Sequence, residues 1–324
     1  MTGYSHAGYA QSLSEFGAPR PLPRAGGWLL ERPIPNSDAR DAMGCYPLFA
    51  CRSWGRLHED LTELGDELVS LTLVTDPFGD HDAEQLGRCF PDLVVPFKEH
   101  FVVDLERPLA ETVSRHHRRY ARRALAQVDV EVCTDPPGFL DDWMHLHAHL
   151  LERHQISGLR AFSRSAFAKQ LALPGMVVLR GGHAGEPIGA QLWLLEGEVA
   201  YGHVLAFSEA GYRLGAPYAL YWAALEHFVT RVRFCDLGAA PGAAGDGSEG
   251  LLRFKRGWAS GTRTAYLCGR IFDRPRYESL CRSTQAPASG YFPAYRAGEL
   301  TPRKVSGTAS RAHGVAVGRT TLAS

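Results

Sequence analysis

The sequence has no excess of charge of either sign: 35 Lys plus Arg stand against 35 Asp plus Glu in 324 residues. No global field therefore draws the chain toward nucleic acid or an anionic membrane, and any polyanion contact has to come from a local patch. Cysteine pairing motifs are missing too. The seven cysteines (45, 51, 89, 133, 235, 268 and 281) are scattered, with no C-x-x-C among them. That excludes a disulfide framework or a zinc knuckle and fits a reducing, cytoplasmic setting. No apolar run approaches the roughly eighteen residues of a spanning helix, and Met1 to Gly17 lacks a basic stretch followed by an apolar one, so no signal peptide is expected. There is no G-x-S-x-G elbow for a serine nucleophile, and the Gly242–Gly250 stretch lacks the Lys-Ser/Thr ending of a P-loop. His145 and His149 share a helix face but no H-E-x-x-H surrounds them, so no metal is expected.

What is present is an ordinary globular composition, 45% apolar and 22% charged, on a chain long enough for two domains. Residues 1–26 hold Gly, Ser and the run Pro19-Arg20-Pro21-Leu22-Pro23, which reads as a mobile arm. Short strands are expected at Trp28–Glu31 and Tyr46–Ala50, a helix over 57–64, a buried strand over Leu68–Val74 stopped at Asp76-Pro77-Phe78-Gly79, a helix over 82–89 and a strand over 97–103. Beyond Ser283 the composition turns to Ala, Ser, Gly, Thr and Arg; only Tyr291 to Tyr295 offers apolar material to dock, and residues 303–324 are expected to be disordered.

Pro108 to Gln127 reads as a helix whose second half carries Arg115, Arg118, Arg119, Arg122 and Arg123, the densest cationic run in the chain. Such a run is either a solvated helix face or a surface for phosphate oxygens, which suit the forked donors of arginine. The second half then gives a strand over 128–133, helices from about 137 and over 164–171, strands over 176–180, 188–195 and 198–207, a helix over 217–230, strands over 232–237 and 264–272, and a helix over 274–282. Between the last two strands stands Leu251-Leu252-Arg253-Phe254-Lys255-Arg256-Gly257-Trp258, a lysine held by aromatic neighbours just after a Gly/Ala-rich loop. A lysine so placed either sits on a surface helix or meets an anionic or developing oxyanionic group.

This order of elements resembles the Gcn5-related N-acetyltransferase (GNAT) fold, in which two central strands splay and an acyl donor enters the gap. The succession Tyr201-Gly202-His203, Gly211 to Leu220, Asp236-Leu237-Gly238 and Arg253-Phe254-Lys255-Arg256-Gly257-Trp258 is similar to the FemAB-like branch, which includes aminoacyl-tRNA-dependent transferases that build peptidoglycan cross-bridges. The resemblance covers about residues 45–283 and implies an α/β fold (α+β in its mixed sheet) of two tandem GNAT-like domains. They are an N-terminal unit over 1–126, a catalytic unit over 127–284 and a tail over 285–324. It implies an acyltransferase that moves an aminoacyl group from aminoacyl-tRNA to a small-molecule or peptide amine, with no cofactor. Lys255 is then the oxyanion donor and His203 a candidate base. Tyr201, Tyr212, Arg213, Tyr218, Asp236, Arg253 and Phe254 are candidate substrate contacts, and the five arginines candidate tRNA contacts. Acyl-CoA is the alternative donor, but Tyr212 and Pro217 depart from the Arg/Gln-x-x-Gly-x-Gly/Ala cradle for a pyrophosphate, and proline offers no amide hydrogen. A catalytically silent binding module is the third reading.

Overall fold

The computed structural model describes residues 2–65, 67–156, 158, 161–239, 249–286 and 291–299. The chain begins with α1 (Ala7–Ser12), β1 (Ala18–Leu22), β2 (Gly27–Pro33), β3 (Arg40–Gly44), α2 (Leu57–Glu63), β4 (Ser70–Val74), α3 (Ala83–Cys89) and β5 (Leu93–Asp104). It continues through α4 (Leu109–Thr112), α5 (Arg115–Leu125), β6 (Asp129–Val132), α6 (Leu140–His154), α7 (Arg164–Leu171), β7 (Met176–His183), β8 (Glu186–Glu196) and β9 (Val199–Phe207). It closes with α8 (Glu209–Leu214), α9 (Ala216–Phe228), β10 (Phe234–Ala239), α10 (Glu249–Arg256), β11 (Gly261–Ile271) and α11 (Arg274–Ser283).

Among the described residues, all strands join one 11-stranded sheet in the order β1-β2-β3-β4-β11-β5-β10-β9-β8-β7-β6. Its pairing repeats. β1, β2 and β3 run antiparallel and β3 meets β4 in parallel; β7, β8 and β9 run antiparallel and β9 meets β10 in parallel. Two long strands join the repeats: β11 lies against β4, β5 lies against β10, and β5 and β11 pair with each other antiparallel. The two GNAT-like units are thus tandem but not separate, since each completes its sheet through a strand drawn from the far end of the other. Pro96 can sit inside long β5 because the register shifts there, Ala265 facing Lys98 and Tyr266 facing Pro96. The bulge relieves the missing amide hydrogen.

Three expectations need correction. Residues 1–26 are no mobile arm: Tyr4, Tyr9 and Leu13 are buried in the core of the second unit, and α1 packs on α7. Proline in β1 is tolerated because this is an edge strand. Pro19 and Pro21 face Leu30 and Trp28, two residues apart, so both missing N–H groups point to the open edge. Tyr46–Ala50 is no strand and contributes only the bridge of Phe49 with Thr75. The helix expected over 108–127 is two, divided at Val113, after which the Ser114 hydroxyl accepts from the His117 amide (3.2 Å) and starts α5.

At the other end, Tyr295 and Arg296 dock on the first unit. Arg296 grips buried Asp41 with Nε and Nη2 (2.6 and 2.9 Å), and the Tyr295 hydroxyl donates to the same carboxylate (2.9 Å). The stretch expected to be disordered, 303–324, and the Gly/Ala-rich loop over 240–248 lie outside the described residues. No helix among the described residues is long and apolar enough to cross a membrane.

Candidate active site

β9 and β10 pair over only three positions, Phe234 with Val199, Cys235 with Ala200 and Asp236 with Tyr201. The cause of their parting is in β9. Against β8, Leu192 faces Val204 and Trp193 faces Gly202, so His203 is an extra residue in a bulge. A bulge bends its strand and increases local twist, and here it turns β9 away from β10 just beyond Tyr201. The expected splay is present, and its floor is Asp236. That buried carboxylate accepts from the Gly238 amide through Oδ1 (2.7 Å) and is bonded to His100 Nδ1 through Oδ2 (2.8 Å). Gly238 has φ +73°, a conformation that suits glycine, and lies where β10 shifts register against β5 between Asp236 and Ala239.

Lys255 enters this parting from α10. It is 8% exposed, and its Nζ donates to the carbonyl of Ala239, the last residue of β10, at 2.8 Å. Burial lowers its pKa to about 8, against the opposing pull of Asp236. A buried ammonium therefore keeps its charge near neutral pH, with donors still to offer. Phe254 points the other way, into a box of His117, Tyr218, Tyr221 and Trp258 with centroids 5.1–6.0 Å from its own. Arg253 and Arg256 are exposed. One short helix thus delivers a lysine to the cleft and an aromatic anchor to the core.

That helix is fastened to α5. His117 Nε2 donates to the Phe254 carbonyl (2.9 Å), and the Ser114 amide donates to the Gly257 carbonyl (2.9 Å). Gly257 is required by contact: a Cβ there would lie 2.1 Å from the His117 ring. Arg115, Arg119, Arg122 and Arg123 are exposed on α5, Arg118 is half-buried, and among the described residues none of the five pairs with a carboxylate.

A second group meets the splay from the first unit. The Tyr201 hydroxyl donates to Asp76 Oδ2 (2.9 Å), and the Phe78 amide donates to Asp76 Oδ1 (2.9 Å). Burial raises this carboxyl to about 7. Arg263 on β11 lies over the rings of Phe78 and Phe234 at 4.4 and 5.0 Å, across the strand pair from His100.

His203 is held rather than free. Gln170 Nε2 donates to Ser12 Oγ (3.2 Å), which turns Gln170 Oε1 toward His203 Nε2 (3.1 Å), and His203 Nδ1 accepts from the Tyr4 hydroxyl (3.2 Å). Both ring nitrogens are occupied, and the rings of Tyr4, Tyr9 and Phe162 surround the imidazole. Burial pushes its pKa down to about 3. This suits a histidine that positions β9 and leaves no lone pair for an acceptor amine.

The structure therefore gathers Lys255, Asp236 and Tyr201 at one place. Phe254 and Tyr218 form the aromatic box behind it, and Arg253 is exposed on α10. Tyr212 lies on α8 under Arg153 (4.2 Å), with exposed Arg213 beside it, and the rings of Tyr212 and Phe207 are 5.6 Å apart. Asp76, His100, Arg263, Tyr4 and Gln170 escaped the sequence reading. Only Asp76 had a local signal, in Asp76-Pro77-Phe78-Gly79, where it served as a strand stop.

Residues 111–256 match the family model of an acetyltransferase (GNAT) domain. The matched stretch, less than half of the chain, is similar to a GNAT acetyltransferase domain, and it lies in a sheet of two GNAT-like units. The structure of the chain is similar to that of FemX, with a TM-score of 0.63 and 12% identity over 84% of this chain and 93% of the other. It is also similar to the C-terminal domain of a putative lysylphosphatidylglycerol synthetase from Agrobacterium fabrum (TM-score 0.58, 14% identity, 81% of this chain and 87% of the other). A third likeness is to L-PGS from Bacillus licheniformis (TM-score 0.57, 13% identity, 85% and 94%). No curated protein matches the sequence.

Proposed function

We propose that the protein transfers an aminoacyl group from an aminoacyl-tRNA to an amine, making an amide. The observation that carries this reading is α5: a helix with exposed, carboxylate-free arginines, bonded directly to the helix that bears Lys255. Arginine forks of this kind suit backbone phosphates. The N-terminus of α9, where a CoA pyrophosphate would look for amides, offers little. The Gly215 amide donates to Tyr212 O (3.2 Å), Pro217 has none, and the Tyr218 amide donates back to Gly215 O (2.9 Å).

In the reaction, the acceptor nitrogen attacks the ester carbonyl carbon, and the bond from that carbon to the ribose oxygen breaks with its electron pair left on oxygen. The proton lost by the nitrogen passes, by way of the base, to that oxygen to give the ribose hydroxyl. Lys255 faces the developing oxyanion; a donor so placed is worth about 2–4 kcal/mol of barrier. Asp76, with a pKa of about 7, is matched to accepting the proton near neutral pH, and Tyr201 holds it in place. Asp236 and His100 anchor the end of β10 on which Lys255 rests.

The donor assignment is tested by charge reversal. Arg119→Glu with Arg122→Glu should raise the KM for aminoacyl-tRNA and flatten its dependence on salt. Unchanged kinetics across a salt series would make α5 a solvated face and remove the support for tRNA.

A further inference from the structure

Arginines are not the whole of the exposed surface of α5. At 100° per residue, Arg122, Arg115, Arg119 and Arg123 follow one another around the solvent side, and His116 and Tyr120 come next, before the buried positions 124, 117 and 121. Tyr120 is 43% exposed, one of few large apolar side chains left on the surface among the described residues. Its ring lies 4.3 Å from that of His116 at 33° and 5.2 Å from that of Tyr218 at 34°. Three rings, each tilted against the next, thus run from the edge of the arginine face inward. The innermost, Tyr218, is 5.1 Å from Phe254, the residue before Lys255.

A solvated helix face explains the arginines but not this ladder. An exposed tyrosine flanked by unpaired guanidiniums is the arrangement that holds unpaired nucleotides: rings stack on bases, cations take the phosphates, and neither needs a particular base. Duplex backbone alone would use the arginines and leave the rings idle. We infer that the His116–Tyr120–Tyr218 ladder receives the unpaired 3′ end of the donor RNA, stacking its bases and leading the acylated terminus along α10 toward Lys255. The inference rests on the aminoacyl-tRNA reading and names which part of that donor the surface recognises. Because the adenine and phosphates of coenzyme A share this chemistry, the test separates the two sources.

The probes are two fluorescent RNA hairpins with the same acceptor-stem duplex, one with a short unpaired 3′ end and one blunt, titrated with full-length protein by anisotropy. The tailed hairpin should bind more tightly. Tyr120→Ala should weaken it about 5- to 100-fold while leaving the blunt hairpin and the salt slope unchanged, and Tyr120→Phe should keep wild-type binding. Thermal melts of each variant check folding, which an exposed ring should not disturb. If both hairpins bind equally and ignore Tyr120→Ala, yet both weaken with Arg119→Glu, the stacking inference is wrong and the tRNA reading stands. If coenzyme A displaces the RNA from the wild type but not from Tyr120→Ala, the ladder serves a small nucleotide and both fail. Absence of binding by either hairpin overturns both.

Discussion

Two buried charges of opposite sign define the site at the scale of residues, and each costs stability that can be measured. Lys255 has a folded pKa of about 8 against 10.5 for the free side chain, so between these values the unfolded chain binds more protons and wild-type stability rises with pH. Below about pH 8 the full cost of burying the ammonium is present. Lys255→Met keeps the stem and removes the charge. It should melt higher than wild type at pH 7, and that advantage should shrink by pH 10. Its kcat should fall about 100- to 1,000-fold with donor KM nearly constant, as for the loss of an oxyanion donor. A raised KM with preserved kcat would make Lys255 a phosphate anchor instead.

Asp76 runs the opposite way. Its pKa is raised from 3.8 to about 7, so in that window the folded chain holds the extra proton and stability falls as pH rises. Asp76→Asn should therefore gain stability relative to wild type at pH 8 but not at pH 4. It should also lose the kcat/KM limb near pH 7 that wild type shows. A variant that retained this limb would return the base to the substrate. Lys255 stood out in the sequence because aromatic anchors bracket it. Asp76 did not, because the residue that completes its environment, Tyr201, is 125 positions away.

Among elements, the junction of α5 and α10 carries the account. Gly257 lets the two helices touch, and the hydrogen bond from His117 fixes their offset. Gly257→Ala should push α10 off α5 and lower kcat with every side chain of the cleft intact. Adding His117→Ala, which removes the ring that the new methyl meets, should recover part of the loss; strictly additive losses in a double-mutant cycle would deny the clash. The positions of these elements were legible from periodicity, while their contacts were not. The bulge at His203 shows why: strand alternation puts Tyr201 and His203 on one face, but the extra residue that ends the β9–β10 pairing depends on β8, which sequence spacing does not register.

For the whole molecule, the sheet explains both what the sequence revealed and what it hid. Element order in the second half was readable because its main elements, β7 to β9 with α6 and α9, are long. The exchange of β5 and β11 was hidden, because it pairs residues near 100 with residues near 265. The N-terminal segment misled through composition: Gly, Ser and Pro speak for a loop, yet Tyr4, Tyr9 and Leu13 pin it to the second unit. Tyr9→Ala should cost about 3–5 kcal/mol of unfolding free energy, the range for a fully buried large side chain. A mobile arm would show no change in the denaturation midpoint.

The central claim is tested most directly by supplying purified protein with a mixed pool of amines and two labelled donors in parallel, aminoacyl-tRNA and acyl-CoA, and following amide formation. The account predicts an amide built from the aminoacyl-tRNA, strongly reduced in Lys255→Met and in Arg119→Glu with Arg122→Glu. An amide formed from acyl-CoA alone, or a yield from aminoacyl-tRNA that Lys255→Met leaves unchanged, would contradict it.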